Sequence, residues 1–150
     1  MLASRLSKGH YYCTIAEATS LRSTCFVRQY GAVIVNNDEI IATGYNGFPR
    51  GDDNCLDTGT CPHRGTPHNS GDYSTCDAVH AEQNAMLSAS RRDMIGATLY
   101  LAGYDVKLSS NIVDATPCPV CMRMIKNSGI KCVVNQLGVV WERGEADVHD

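Results

Sequence analysis

Two short pieces of this chain carry residues whose types and spacing could do chemistry together: H-A-E at His80, Ala81 and Glu82, and P-C-P-V-C from Pro117 to Cys121. One imidazole and the thiolates of Cys118 and Cys121 supply three ligands of a tetrahedral zinc and leave the fourth position open for water. That is the arrangement of a catalytic metal, not of a structural one. Glu82, two residues after His80, cannot join as a simple extra ligand without distorting a helix. It is better placed to move protons. A carboxylate beside an acidified water can take its proton, pass it to a ring nitrogen of a substrate and later deliver one to a leaving amine, which is hydrolytic deamination.

Each piece taken alone is weaker. C-x-x-C at a helix start is equally the layout of a thioredoxin-like redox pair, and H-A-E arises by chance. Found together, each opening a helix and in this order, they form the signature of zinc nucleobase deaminases, in which the glutamate is acid and base and not a ligand. Helix starts also suit thiolates, because unpaired amides and the positive end of the dipole lower a thiol's pKa. A thiol oxidoreductase using Cys118 and Cys121, and a zinc-stabilised binding module without catalysis, are the competing readings.

The chain has eight cysteines, and in an intracellular protein of this size they are more apt to hold metal or do chemistry than to form disulfides. Cys25, Cys55, Cys61 and Cys76 would make a closed structural zinc site if they met in space, fixing the long loop beside the catalytic helix. His63 or His68 could replace one of them. Their spacing is irregular, so four ordinary thiols is the alternative. Cys13 and Cys132 lie in apolar stretches and read as packed core thiols.

The elements that must position these groups follow from the pattern. Tyr11, Ile15, Ala18 and Leu21 recur at helical spacing, predicting an amphipathic helix from about Ser7 to Cys25. From Gly31, A-V-I-V and E-I-I-A-T-G-Y flank an Asn-Asn-Asp turn and read as an antiparallel hairpin. The stretch from Asn46 to Tyr73 is dense in Gly, Pro, Asn, Asp and Thr and reads as a long loop, of a length that is usually functional or tied down. A second helix is expected from near Asp77 to about Arg92, then a buried strand A-T-L-Y-L-A-G, a helix closed by Gly129, and the strand K-C-V-V-N. The tail from Gln136 has no assigned element. Strands alternating with helices imply an α/β layered fold with parallel pairing in the second half.

One hundred and fifty residues, 43% of them hydrophobic, suit a single domain, 1–150, with its own core. A net charge of −3 gives no footprint for a nucleic-acid backbone or an anionic membrane. No apolar run reaches membrane-spanning length and the first ten residues lack a signal-peptide core, so a cytoplasmic protein is expected.

With these residues in hand, the chain resembles the deoxycytidylate (dCMP) deaminase family within the cytidine deaminase-like superfamily, from about Arg22 to Val134. The resemblance rests on R-S-T-C at Arg22 to Cys25, G-A-V-I-V at Gly31 to Val35 and G-Y-N-G-F-P-R-G at Gly44 to Gly51. D-N-C ending at Cys55, H-A-E-Q-N-A at His80 to Ala85 and P-C-P-V-C complete it. It implies a three-layer α/β/α fold around a mixed sheet of four or five strands, catalytic zinc on His80, Cys118 and Cys121, and Glu82 as proton shuttle. It further implies that Asn46 reaches the substrate sugar, that the Ala81 backbone lies near the base, and that the cysteine-rich loop binds a second zinc. Homo-oligomers, often hexamers, and regulation by deoxynucleoside triphosphates go with the family.

Within that resemblance the expected reaction is dCMP to dUMP and ammonia, with cytidine or deoxycytidine, dCTP, guanine or transfer-RNA adenosine as alternatives. The 5′-phosphate needs a cation, for which Arg28 is the candidate and Arg50 the rival. The sequence departs from the family at about Tyr104 to Ala115, some twelve residues inserted between the A-T-L-Y-L strand and P-C.

Overall fold

The computed structural model describes residues 3–63 and 76–144. Five strands lie in the order β2-β1-β3-β5-β6, and a sixth, the short β4, pairs with β3 off that path. They are β1 (Arg28–Asn36), β2 (Glu39–Tyr45), β3 (Thr98–Asp105), β4 (Ser110–Ile112), β5 (Cys132–Asn135) and β6 (Gly138–Glu142). All neighbours run antiparallel except β3 and β5, the one parallel pair. That pair needs a crossover, and helix α5 (Pro119–Ser128) provides it.

Alternation along β1 divides the core. Val33 and Val35 point to one face, where Tyr12 and Ala16 of helix α1 (Lys8–Ser20) cover them. Ala32 and Ile34 point to the other, packed with Ala81, Ala85 and Met86 of helix α3 (Ala81–Leu87) and with Ile125 of α5. The result is the three-layer α/β/α arrangement. Both helices lie close on the sheet because glycine faces them: a Cβ at Gly31 would stand 2.1 Å from the Ala16 carbonyl, and one at Gly44 would stand 2.3 Å from the Ala85 amide.

Two helices are shorter than the pattern predicts, each for a local reason. Helix α1 stops at Ser20 because the following residues are recruited by the end of the hairpin. The Ser23 hydroxyl donates to the Asn46 carbonyl at 2.9 Å and the Thr24 amide donates to it at 3.3 Å. Helix α3 starts at Ala81 instead of Asp77 because Val79 is held extended, exchanging backbone hydrogen bonds of 2.7 and 3.1 Å with Gly47. His80 is left as the residue capping the helix. Beyond α3 a separate single turn, α4 (Arg91–Met94), starts on a Ser90 cap. Gly129 closes α5 with φ of 93°, the left-handed conformation that favours glycine at a helix end.

The insertion and the tail both become strands. Residues Tyr104 to Asp105 extend β3, a turn follows, and β4 folds back with Tyr104 opposite Asn111 and Gly103 opposite Ile112. The tail after β5 turns at Asn135 and Gly138 into β6. Cys13 and Cys132 are buried, as core thiols should be. Among the described residues no helix is long and apolar enough to cross a membrane.

Candidate metal centre and its surroundings

Both halves of the centre stand at helix starts. Cys118 caps α5, its sulfur accepting from the Cys121 amide at 3.4 Å, with Pro119 in the first helical position where a missing N–H costs nothing. His80 caps α3, and its own amide donates to the Gln83 side chain at 2.9 Å, which fixes the turn into the helix. Neighbouring α3 and α5 on one face of the sheet then bring the two caps together. His80 Nδ1 lies 3.6 Å from Cys118 Sγ and 3.3 Å from Cys121 Sγ.

These distances fit a metal. A tetrahedral zinc with bonds of about 2.3 Å to sulfur and 2.0 Å to nitrogen sets its N and S ligands roughly 3.6 Å apart. The ligating atoms of His80, Cys118 and Cys121 all lie within 4.8 Å of one another, the only such group of three His, Cys, Asp or Glu residues among the described residues.

Glu82 is the buried acid of the site, 5% exposed. Burial pushes its carboxyl pKa above the usual range, with the nearby Cys118 adding to the rise while its own backbone amide, His80 and a hydrogen bond with Cys121 oppose it. The Cys121 thiol is held far above its ordinary pKa, first by hydrogen bonding with Cys118, then by burial and the charge of Glu82. Hydrogen bonding to Cys118 likewise raises the pKa of His80, with burial acting the other way. Two sulfurs, an imidazole and a carboxyl packed this closely share protons that a divalent cation would displace.

The other sequence-derived residues fall in several places. Ala81 is fully buried as the first residue of α3, between His80 and Glu82. The Asn46 side chain binds strand β1, accepting from the Tyr30 amide at 2.8 Å and donating to the Arg28 carbonyl at 3.0 Å. One N–H and one lone pair of its carboxamide are left beyond these two bonds. Arg28 opens β1 and pairs with Asp105, Nε to carboxylate 3.7 Å. Arg50 lines a different cavity, of about 520 Å³, together with Tyr45, Phe48 and Asn84, and no member of the metal cluster lines it.

Cys25, Cys55, Cys61 and Cys76 gather more loosely. Cys55 opens the single-turn helix α2 (Cys55–Thr58), whose Asn54 cap and Asp57 bind each other's amides. Burial raises the Cys55 thiol pKa, and the neighbouring Cys25, Cys61 and Cys76 raise it further. The four are thus electrostatic neighbours, without three of their sulfurs drawing within 4.8 Å of one another. His63 is half-buried at the edge of the described residues, and His68 lies outside them.

Sequence reasoning missed Tyr30 and Asp105. Burial raises the Tyr30 hydroxyl pKa, Arg28 beside it pulls the value back, and the charges of Glu82 and Asp105 push it up. The signal that could have found it was the period of two running back from Ile34 and Ala32 to Tyr30 and Arg28 on the centre's side of the sheet.

An α/β/α sandwich with one imidazole and two thiols converging at helix starts, and a buried glutamate against them, has the architecture of a zinc-dependent deaminase. The chain belongs to the cytidine and deoxycytidylate deaminase family, whose zinc-binding region matches residues 6–137. It is 41% identical over 137 residues to the deoxycytidylate deaminase of Mycobacterium phage D29, covering 87% of this chain and 95% of that one. It is 38% identical over 133 residues to the deoxycytidylate deaminase of Schizosaccharomyces pombe, covering 87% of this chain but only 37% of the longer yeast protein. The solved dCMP deaminase of cyanophage S-TIM5 in apo form superposes with a TM-score of 0.60 at 29% identity, over 84% of this chain and 79% of that one. Its complex with dCMP and dUMP gives 0.57 at 29% identity, over 83% and 77%.

Proposed function

We propose that this chain is a single cytoplasmic deaminase domain that hydrolyses dCMP to dUMP and ammonia, with a catalytic zinc on His80 Nδ1 and the sulfurs of Cys118 and Cys121. The observation that carries the reading is Glu82, buried against that cluster without being part of it. Zinc in an open site of this kind acidifies water and so supplies a nucleophile at neutral pH. Glu82 accepts one proton of the attacking water and gives it to N3 of the cytosine ring, then takes the second proton of that same oxygen and delivers it to the departing amine as the C4–N bond breaks. Burial raises its pKa above the usual carboxylate range, the direction that lets it give a proton as well as take one. Asn46 keeps one N–H for the sugar, Ala81 offers its backbone beside the base, and Arg28 meets the 5′-phosphate.

The redox reading of Cys118 and Cys121 gains no support, because the imidazole nitrogen of His80 stands against both sulfurs. A second, structural zinc on Cys25, Cys55, Cys61 and Cys76 belongs to the proposal and is supported by their mutual electrostatic influence. So do a homo-oligomer, a hexamer included, and a deoxynucleoside triphosphate effector. The 520 Å³ cavity beside β2, with Arg50 in its wall, has the volume and the cation for such an effector.

The test is a screen of cytosine nucleosides and nucleotides by ultraviolet absorbance and ammonia release, on the zinc-loaded protein. Fastest turnover of dCMP is expected. Preference for deoxycytidine or dCTP would replace the substrate and keep the chemistry, and no ammonia from any of them would remove the enzyme reading.

A further inference from the structure

The register of β1 against β3 sets two pairs side by side on the face that carries the metal centre: Arg28 opposite Asp105, and Tyr30 opposite Gly103. Alternation puts Arg28 and Tyr30 on the same side of β1 as Ala32 and Ile34, which pack with Ala81 and Ala85 of the helix that carries Glu82. The Tyr30 ring rests directly on Gly103. A Cβ there would come within 2.7 and 2.9 Å of two ring atoms, and 3.2 Å from the Ile112 side chain of the inserted hairpin. The backbone of Tyr30 is held as firmly, its amide by the Asn46 side chain at 2.8 Å and its carbonyl by the Asn46 amide at 3.3 Å. Asp105 is held by the same hairpin, where it pairs with Ser110 in β4 and its carboxylate accepts from the Leu108 amide at 3.0 Å.

A rigid tyrosine between a guanidinium and the reaction site has a use. Arg28 begins its strand and is a third exposed, so without a second support its long side chain would sample many rotamers. Holding it in one of them before substrate arrives lowers the cost of binding an anion there. We propose that Tyr30 is a positioning residue for substrate recognition: seated on Gly103 between Arg28 and Glu82, it fixes where the Arg28 guanidinium stands and so sets the preference for nucleotide over nucleoside. Asp105, brought up by the inserted hairpin, holds the guanidinium from its other side. The electrostatic influence of both Arg28 and Glu82 on Tyr30 agrees with that placement. The inference rests on the reading of Arg28 as the phosphate ligand.

Steady-state kinetics of the zinc-loaded protein on dCMP and on deoxycytidine test it, with Tyr30→Phe, Gly103→Ala and Arg28→Ala compared at equal zinc content. Tyr30→Phe keeps the ring on Gly103 and removes only the hydroxyl. It is expected to raise KM for dCMP roughly threefold to tenfold, the worth of one hydrogen bond, with kcat within about twofold and deoxycytidine unaffected. Gly103→Ala, which displaces the ring, is expected to lose at least as much on dCMP. A Tyr30→Phe protein unchanged on dCMP, or weakened equally on both substrates, overturns the inference. If Arg28→Ala alone abolishes the preference for dCMP, the phosphate reading stands while the role of Tyr30 falls; if Arg28→Ala leaves the preference intact, both fall.

Discussion

The ligating atoms of His80, Cys118 and Cys121 lie within 4.8 Å of one another, whereas no three of the sulfurs of Cys25, Cys55, Cys61 and Cys76 do. The difference follows from what carries each set. His80 and Cys118 cap helices that are packed on a six-stranded sheet, and Cys121 is fully buried in the first turn of α5. Cys25 lies in the link between α1 and β1, Cys55 opens a helix of four residues, and Cys61 and Cys76 are separated by fourteen residues of largely polar chain. In the first set the fold supplies the geometry and a metal would add chemistry. In the second, a metal would supply the geometry itself, which is how small cysteine-rich loops gain order.

The largest effect expected from breaking this contrast is at Cys118. Cys118→Ala should remove one zinc per chain and all measurable turnover, while costing only about 1 kcal/mol of stability for the lost helix cap. Metal analysis beside a thermal melt checks both halves, and a large fall in melting temperature would mean that the first set depends on its metal as much as the second. Glu82→Gln comes next. Every zinc should stay, since Glu82 is no ligand, and turnover should fall by roughly a hundredfold to ten-thousandfold. A mutant with a tenth of normal activity would sink the proton-shuttle role.

Cys55→Ser sharpens the other side of the comparison. Structural zinc supplies on the order of 10 kcal/mol of apparent binding energy, so the substitution should lower the melting temperature strongly and remove one of two zinc ions. The folded remainder should keep the catalytic metal. A wild-type count of one zinc, or an unchanged melt in the mutant, would return Cys25, Cys55, Cys61 and Cys76 to ordinary thiols.

The same contrast explains what could be read from the sequence. The trio was legible because H-A-E and P-C-P-V-C each open a helix, so local spacing already determines where the side chains stand. The hairpin, β3, α5 and β5 were legible for a similar reason, being periodic segments bounded by turn residues. Helix ends were not: α1 stops at Ser20 because Ser23 and Thr24 bond to Asn46, and α3 waits until Ala81 because Val79 pairs with Gly47. Both are long-range contacts that no local window contains. Tyr104 to Ala115 read as an insertion of unknown role and proves to be a hairpin. Its effect on the site, through Asp105 and Ile112, appears only once β1 and β3 are aligned.

A smaller effect than at the metal ligands and Glu82 is expected at Arg28, whose charge is shared with Asp105 at 3.7 Å. Hydrogen bonds to a charged group contribute roughly 1.5 to 3 kcal/mol, so Arg28→Ala should cost at least about tenfold in kcat/KM for dCMP. Activity on deoxycytidine should hardly change, because the nucleoside has no group for the guanidinium to meet. The substitution also strips Asp105 of its partner, and a partly exposed pair of this kind contributes at most about 1 kcal/mol. That loss of stability falls on both substrates alike and cancels in their ratio, which makes the ratio the quantity to measure. A tenfold loss on both substrates would indicate a damaged fold or metal site. An unchanged ratio would leave the phosphate to another cation, and Arg50 is poorly placed for it, since it lines the cavity beside β2 and not the face of β1 that carries the metal centre.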